Sequence, residues 1–164
     1  MRSAALLSLC GVVIAVTASQ RTLALGGPIL QLHLAGFGTP LPAAIDQGPC
    51  PQGRTLINIT SMAGTHLGSV TLCILTISKT ERNGLISHID QTVSATYRLP
   101  GGTILSRENQ TIRFARDQRH TTAIFLGHVT GGTGRYARAA GTVSGGGNGV
   151  NGKADWLVTI RLHQ

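Results

Sequence analysis

The residues best placed to do chemistry fall in two alternating stretches, SHIDQTVSATYRL (87–99) and TILSRENQTIRF (103–114). If Val93, Ile112 and Trp156 face inward, a period of two brings Gln91, Ala95, Tyr97, Ser106, Glu108 and Gln110 onto the same inner face. An inward carboxyl must be paired or protonated. Held protonated, Glu108 would act as a general acid; ionised, it would steer a developing cation. Tyr97 adds a hydroxyl that can donate and accept. Glu108 and Tyr97 are therefore the candidate catalytic residues, with Gln91, Val93, Ala95, Ser106, Gln110, Ile112 and Trp156 as the candidate lining of a ligand cavity. Two other arrangements account for the same pattern. A slip of register at a bulge turns Glu108 to solvent, and a filled core leaves Glu108 and Tyr97 satisfying each other.

Other chemistries are less well served. No Ser/His/Asp arrangement stands out, and His128 is alone on its strand face. A zinc site is not expected: there is no C-x-x-C spacing, and the histidines are scattered. Cys50 and Cys73 remain as a pair once Cys10 is removed with an N-terminal leader, and a disulfide between them is expected in an oxidising compartment. If the segments around Ile57 and Cys73 form a hairpin about Gly64, the loop before Arg54 must fold back to bring Cys50 within reach. Asn58-Ile59-Thr60 and Asn109-Gln110-Thr111 are glycosylation sequons inside expected strands, with Asn109 pointing away from Glu108.

The leader reading rests on Arg2, an apolar run from Ala4 to Ala18, and small residues at cleavage spacing before Ser19 or Leu25. Residues 1–24 are read as a signal peptide and residues 25–164 as the folded domain, exported from the cell. An apolar run of ~15 residues is short of the ~20 that span a bilayer as a helix, so no stable membrane insertion is expected. The chain carries 14 Lys+Arg against 6 Asp+Glu. These arginines are spread along the sequence, with one aromatic, Phe114, among the densest group from Arg107 to Arg119. That distribution reads as a solvated cationic surface able to attract anionic polymers, and not as a specific nucleic-acid site.

The elements that must position these residues are strands. From Ile29 onward no apolar i, i+3, i+4, i+7 pattern appears, while alternation at period two recurs, as with Trp156, Val158, Ile160 and Leu162. Asn83-Gly84 suits a type I′ hairpin turn, and Pro100-Gly101-Gly102, Arg116 to His120 and Gly131 to Gly134 are further turns. About eight strands fit between them: near 29–35, 54–61, 69–80, 85–99, 103–115, 121–130, 136–144 and 154–163. The expected fold is all-β, a single eight-stranded antiparallel β-barrel with little or no helix; a β-sandwich is the second choice. Gly36 to Gly53 reads as the one long irregular connection.

The glycine-rich stretch VTGGTGRYARAAGTVSGGGNGVNG (129–152) has neither the Lys-Ser/Thr of a phosphate loop nor a βαβ setting. It reads as a turn, a strand from Tyr136 to Ser144, and a longer glycine turn. Its first half resembles the GTG-[RK]-[FY]-x-x-A-[RK]-G signature of the allene oxide cyclase barrel-like superfamily, which includes the dirigent proteins. Gly132, Thr133, Gly134, Arg135, Tyr136, Ala139 and Gly141 match, while Ala140 stands where that family places Arg or Lys. The resemblance implies a small barrel whose apolar cavity holds a hydrophobic small molecule in one conformation. In the dirigent manner it would guide a phenolic radical; in the cyclase manner it would act as an isomerase on an unsaturated lipid epoxide, with Tyr97 hydrogen-bonded to the ligand oxygen. It implies no metal or organic cofactor, and admits a homodimer or homotrimer. Gly132, Gly134, Arg135, Tyr136 and Gly141 would be scaffold. A filled barrel acting through its basic outer surface is the third reading.

Overall fold

The computed structural model describes residues 29–37, 39–41, 50–61, 63–151 and 153–163. The signal-peptide reading of residues 1–24 lies outside the described residues, as does the stretch 42–49 of the expected long connection.

The described residues form one antiparallel sheet, with no α-helix among them, curled through 233° into a half-barrel. In chain order the strands are β1 (Ile29–Phe37), β2 (Thr39–Leu41), β3 (Arg54–Thr60), β4 (His66–Arg82), β5 (Leu85–Leu99), β6 (Gly102–Phe114), β7 (His120–Gly132), β8 (Ala140–Val150) and β9 (Lys153–His163). Leaving aside the three-residue β2, the strands from β3 to β9 pair consecutively, and β1 pairs with β9. β1 also pairs with β3 over His33↔Thr60 and Leu34↔Ile59. Consecutive antiparallel pairing follows from the short turns. At Asn83-Gly84 both residues take positive φ, 55° and 74°, as a type I′ hairpin requires.

Curling gives the sheet two unequal faces. The inner one carries the core, including Ile57, Ile59, Val70, Leu72, Val93, Ala95, Tyr97, Ile104, Val143, Val158 and Ile160. Period-two alternation places these residues on the same side of their strands, as the sequence pattern requires. β4 is irregular against β5 in two places, between Ile74 and Thr76 and between Thr80 and Glu81. The first resets the alternation, so that Val93 opposes Ile74 and Gln91 opposes Ile77.

The glycine-rich stretch departs from its expected form. Gly134–Tyr136 is a 3-10 turn, not the start of a strand, and it buries Tyr136. The strand begins at Ala140 and continues through Gly145, Gly146, Gly147 and Gly149 to Val150, where a glycine turn was expected. The turn comes one step later, at Asn151, whose φ is 51°. A glycine run can stay in a strand here because its neighbours supply the missing side chains. A β-carbon on Gly145 would lie 2.4 Å from the Phe125 ring, and one on Gly147 would lie 2.6 Å from the Trp156 ring. Phe125 from β7 and Trp156 from β9 thus meet over β8, with ring centroids 6.1 Å apart and planes tilted by 53°. The two scaffold glycines on either side of Tyr136 have a different reason. Gly134 sits at φ 57°, and Gly141, at φ 150°, leaves a space that a β-carbon would close to 1.9 Å from the Arg161 carbonyl oxygen.

Cys50 and Cys73 stand at disulfide distance, with sulfurs 2.06 Å apart and Cα atoms 5.1 Å apart. Cys73 pairs across the ladder with Arg54, so the segment ahead of β3 does fold back. The Gly53 amide bonds the Cys50 carbonyl at 3.2 Å, and Ile74 exchanges backbone bonds with Gln52 and Gly53.

Two stability tests follow. Phe125→Ala uncovers the glycine strand and should lower stability by ~3–5 kcal/mol, read as the midpoint of thermal unfolding; an unchanged midpoint would mean that the ring does not pack over β8. Reduction of the disulfide, which spans a sequence separation of 23, should lower stability by ~2–4 kcal/mol.

Candidate functional site

The registers of β5 to β9 assign the inner face to transverse rows. One row reads Val93, Glu108, Gly127, Val143, Ile160. The row toward the Tyr136 end reads Ala95, Ser106, Val129, Gly141, Leu162, and the row on the other side reads Gln91, Gln110, Phe125, Gly145, Val158. Ser106, Glu108 and Gln110 are therefore successive inward residues of β6, set between the apolar Ile104 and Ile112. Glu108 is inside, 1 % exposed, and no slip of register turns it to solvent.

The carboxyl is fully engaged. Tyr97 donates its hydroxyl to Glu108 Oε1 at 2.7 Å, Ser106 donates to the same oxygen at 2.7 Å, and Gln110 Nε2 donates to Oε2 at 3.1 Å. Gln91 Nε2 in turn donates to Gln110 Oε1 at 2.8 Å. All these partners are neutral donors, which suits a carboxylate acceptor. Tyr97 has its phenol pushed well above the usual 10.0, first by burial and then by the adjoining Glu108 charge and hydrogen bond. Gly127 completes the arrangement: a β-carbon there would lie 2.3 Å from the Arg107 carbonyl oxygen and 2.7 Å from Glu108 Cγ. The expectation that Glu108 and Tyr97 share the inner face therefore holds, and so does their mutual satisfaction.

The expected cavity residues divide into two groups. Val93, Ala95, Ser106 and Gln110 are buried with the carboxyl, and the first two have no exposed surface. Gln91, Ile112 and Trp156 are half-buried toward the other end of the half-barrel, where Ile89 and Ile112 oppose each other and Ile77 is 37 % exposed. The polar network therefore runs from buried Glu108, through Gln110, to half-buried Gln91. A groove of about 300 Å³ takes in Ile77, Gln91 and Gln110 together with Thr76, Ser78, Asp90, Thr92, Asn109 and Thr111 of the outer face. Another, of about 320 Å³, lies between the β6–β7 turn and the end of β8. Both sequon asparagines, Asn58 and Asn109, are exposed, and Asn109 Oδ1 accepts from Thr92 Oγ1 at 3.0 Å.

Two His/Asp contacts escaped the sequence reading. Ser87 Oγ lies 3.2 Å from His88 Nδ1, and His88 Nε2 lies 3.4 Å from Asp90 Oδ2. The Ser87 hydroxyl donates to the Thr80 carbonyl at 3.1 Å, so its proton is directed away from the imidazole and the serine is not set up as a nucleophile. Asp117 caps the β6–β7 turn. The backbone N–H groups of His120 and Arg119, then the His120 ring, hold its carboxyl at about 2. Both contacts are between neighbours on one strand or turn, and only a folded backbone shows which nitrogen faces which oxygen.

Tyr97→Phe should cost ~1.5–3 kcal/mol at neutral pH by removing one donor from a buried carboxyl. The folded phenol ionises well above the usual 10.0. Above that pH the unfolded chain therefore releases a proton that the folded chain keeps, and stability falls as pH rises. Denaturant titrations at alkaline pH should show a steeper loss in the parent than in Tyr97→Phe; parallel curves would mean that the phenol is not buried against Glu108.

No protein-family model matches this chain, and no curated protein matches it, so the reading of the cluster rests on its geometry.

Proposed function

We propose that the chain is an exported barrel of the allene oxide cyclase and dirigent kind, closed by the pairing of β1 with β3. It takes a hydrophobic small molecule into the open end of its inner face and holds it in one conformation. The observation that carries this reading is the run of hydrogen bonds from buried Glu108 through Gln110 to half-buried Gln91. It fixes one polar amide next to the row that runs from Ile89 and Ile112 through Ala123 and Gly147 to Trp156. An apolar concavity with a few oriented polar groups is the usual composition of a small-molecule site. Gln91 would meet the ligand's oxygen, and the side chains behind it would stop that amide from turning.

The same burial favours guiding over catalysis. Glu108 has its two oxygens occupied by Tyr97, Ser106 and Gln110 and reaches the mouth only through Gln110. It is therefore a positioning residue in this proposal, and the cyclase reading would need it to contact the ligand itself.

The chain's single tryptophan, Trp156, provides the readout. Titration with a fluorescent fatty acid and with a polyaromatic probe should give saturable binding that alters Trp156 emission. Ile112→Lys at the mouth should weaken that binding by roughly tenfold or more, and Glu108→Gln should leave it within a few-fold. Absence of saturable binding by either probe would refute the interior-ligand reading. Turnover of an unsaturated epoxide by the purified chain, abolished in Glu108→Gln, would replace guiding with catalysis.

A further inference from the structure

The outer face of β6 to β9 brings together residues that are far apart in the sequence. Reading across the four strands, one row is Arg107, His128, Thr142, Arg161. The next is Asn109, Leu126, Ser144, Thr159, and the one after that is Thr111, Ile124, Gly146, Leu157. Arg107 and Arg161 end this row, with His128 and Thr142 between them, and Arg107, His128 and Arg161 are all exposed. At ~4.8 Å between strands, the two arginines bracket a row ~14 Å wide. Beside them lie the most exposed large apolar side chains of the outer face, Leu126 at 66 % and Ile124 at 62 %, with Leu157 at 42 % beyond Gly146. The nearest acidic residues of this face, among the described ones, flank the apolar group: Asp90 stands on β5, next to Thr111, and Asp155 stands one row beyond Leu157.

We propose that this face docks on the surface of a lipid bilayer rich in anionic phospholipid. Leu126, Ile124 and Leu157 would enter the interfacial region, and Arg107 and Arg161 would engage lipid phosphates. Each half of the patch alone admits other partners; their adjacency selects this one. An anionic polymer uses the basic row and leaves the aliphatic group in water. A nucleic acid lacks an aromatic platform, since no aromatic residue occurs in these rows. A second copy of the chain covers the aliphatic group but sets a basic row against a chain with 14 Lys+Arg and 6 Asp+Glu. A fluid anionic interface takes both halves, and it does not require the groove or free strand edge that these interior strands lack. Guanidinium groups suit phosphate because their planar fork bonds it in a bidentate manner. Aliphatic side chains next to cations are the combination by which peripheral proteins hold to anionic membranes. This proposal is independent of what the inner face binds.

The test is co-sedimentation of the purified chain with vesicles of phosphatidylcholine alone and of phosphatidylcholine with phosphatidylserine. The expected result is binding to the anionic vesicles that is weakened by salt, with much less on the neutral ones. Ile124→Thr with Leu126→Thr keeps strand-compatible residues, and Arg107→Gln with Arg161→Gln removes only charge. Each pair should lower the partition by roughly tenfold or more while thermal unfolding stays near the parent's. Three results would overturn the proposal: absence of binding to either vesicle; loss on the arginine pair alone, which marks a general polyanion surface; or a dimer in sedimentation equilibrium that the Ile124/Leu126 pair abolishes.

Discussion

A carboxyl group buried without a cation constrains everything on the inner face. Moving Glu108 out of water would be prohibitive if its oxygens were left bare. The fold meets that demand with three neutral donors, the Tyr97 and Ser106 hydroxyls and the Gln110 amide, each held by a strand that cannot shift alone. The space for the carboxyl comes from Gly127 opposite, where any side chain would strike the β6 backbone. Two strands and one absence of a side chain thus fix where the carboxyl sits. The surrounding Val93 and Ala95, which have no exposed surface, keep water from loosening it. A buried network of this kind is worth most when every member is satisfied, and in this one no buried side-chain polar atom among the described residues lacks a partner.

The aromatic pair over β8 is the second structural device, and it shapes the inner face at the other end. A strand of consecutive glycines is entropically poor and offers nothing to pack. Phe125 and Trp156 cover it from both sides, so the glycines set the depth of the half-barrel and the rings set its floor. The outcome is an inner face that is buried around Glu108 and half-buried toward Gln91, linked by Gln110. The outer face of the same strands carries a different pattern, because alternation lets one strand address two environments independently. β7 alone contributes Phe125 and Val129 to the core and Ile124, Leu126 and His128 to the outer surface.

Strand identity and facing were legible in the sequence because period-two alternation is a local signal. The inward set of Tyr97, Ser106, Glu108 and Gln110 follows from parity once Val93 and Trp156 are assigned to the core. The disulfide between Cys50 and Cys73 was readable from an even cysteine count, and the fold-back ahead of Arg54 from the reach that a hairpin about Gly64 demands. What escaped was non-local. Gly145 to Gly149 looked like a turn because no residue nearby in sequence could show Phe125 and Trp156 packing against it. Arginines spaced by twenty residues or more read as scattered, yet the β6–β9 register sets Arg107, His128 and Arg161 in one row. The direction of the Ser87 proton likewise depends on the pairing of β5 with β4, since its acceptor is the Thr80 carbonyl.

Glu108 and Tyr97 act as one unit inside the sheet. A double-mutant cycle on stability with Tyr97→Phe and Glu108→Leu tests it most directly. If the two form the buried pair described here, each single change leaves a partner stranded and the double change relieves it, so the double variant should be more stable than the sum of the singles implies by ~1.5–3 kcal/mol. Additivity to within ~0.5 kcal/mol would contradict the account, since it would mean that the carboxyl and the phenol do not depend on each other.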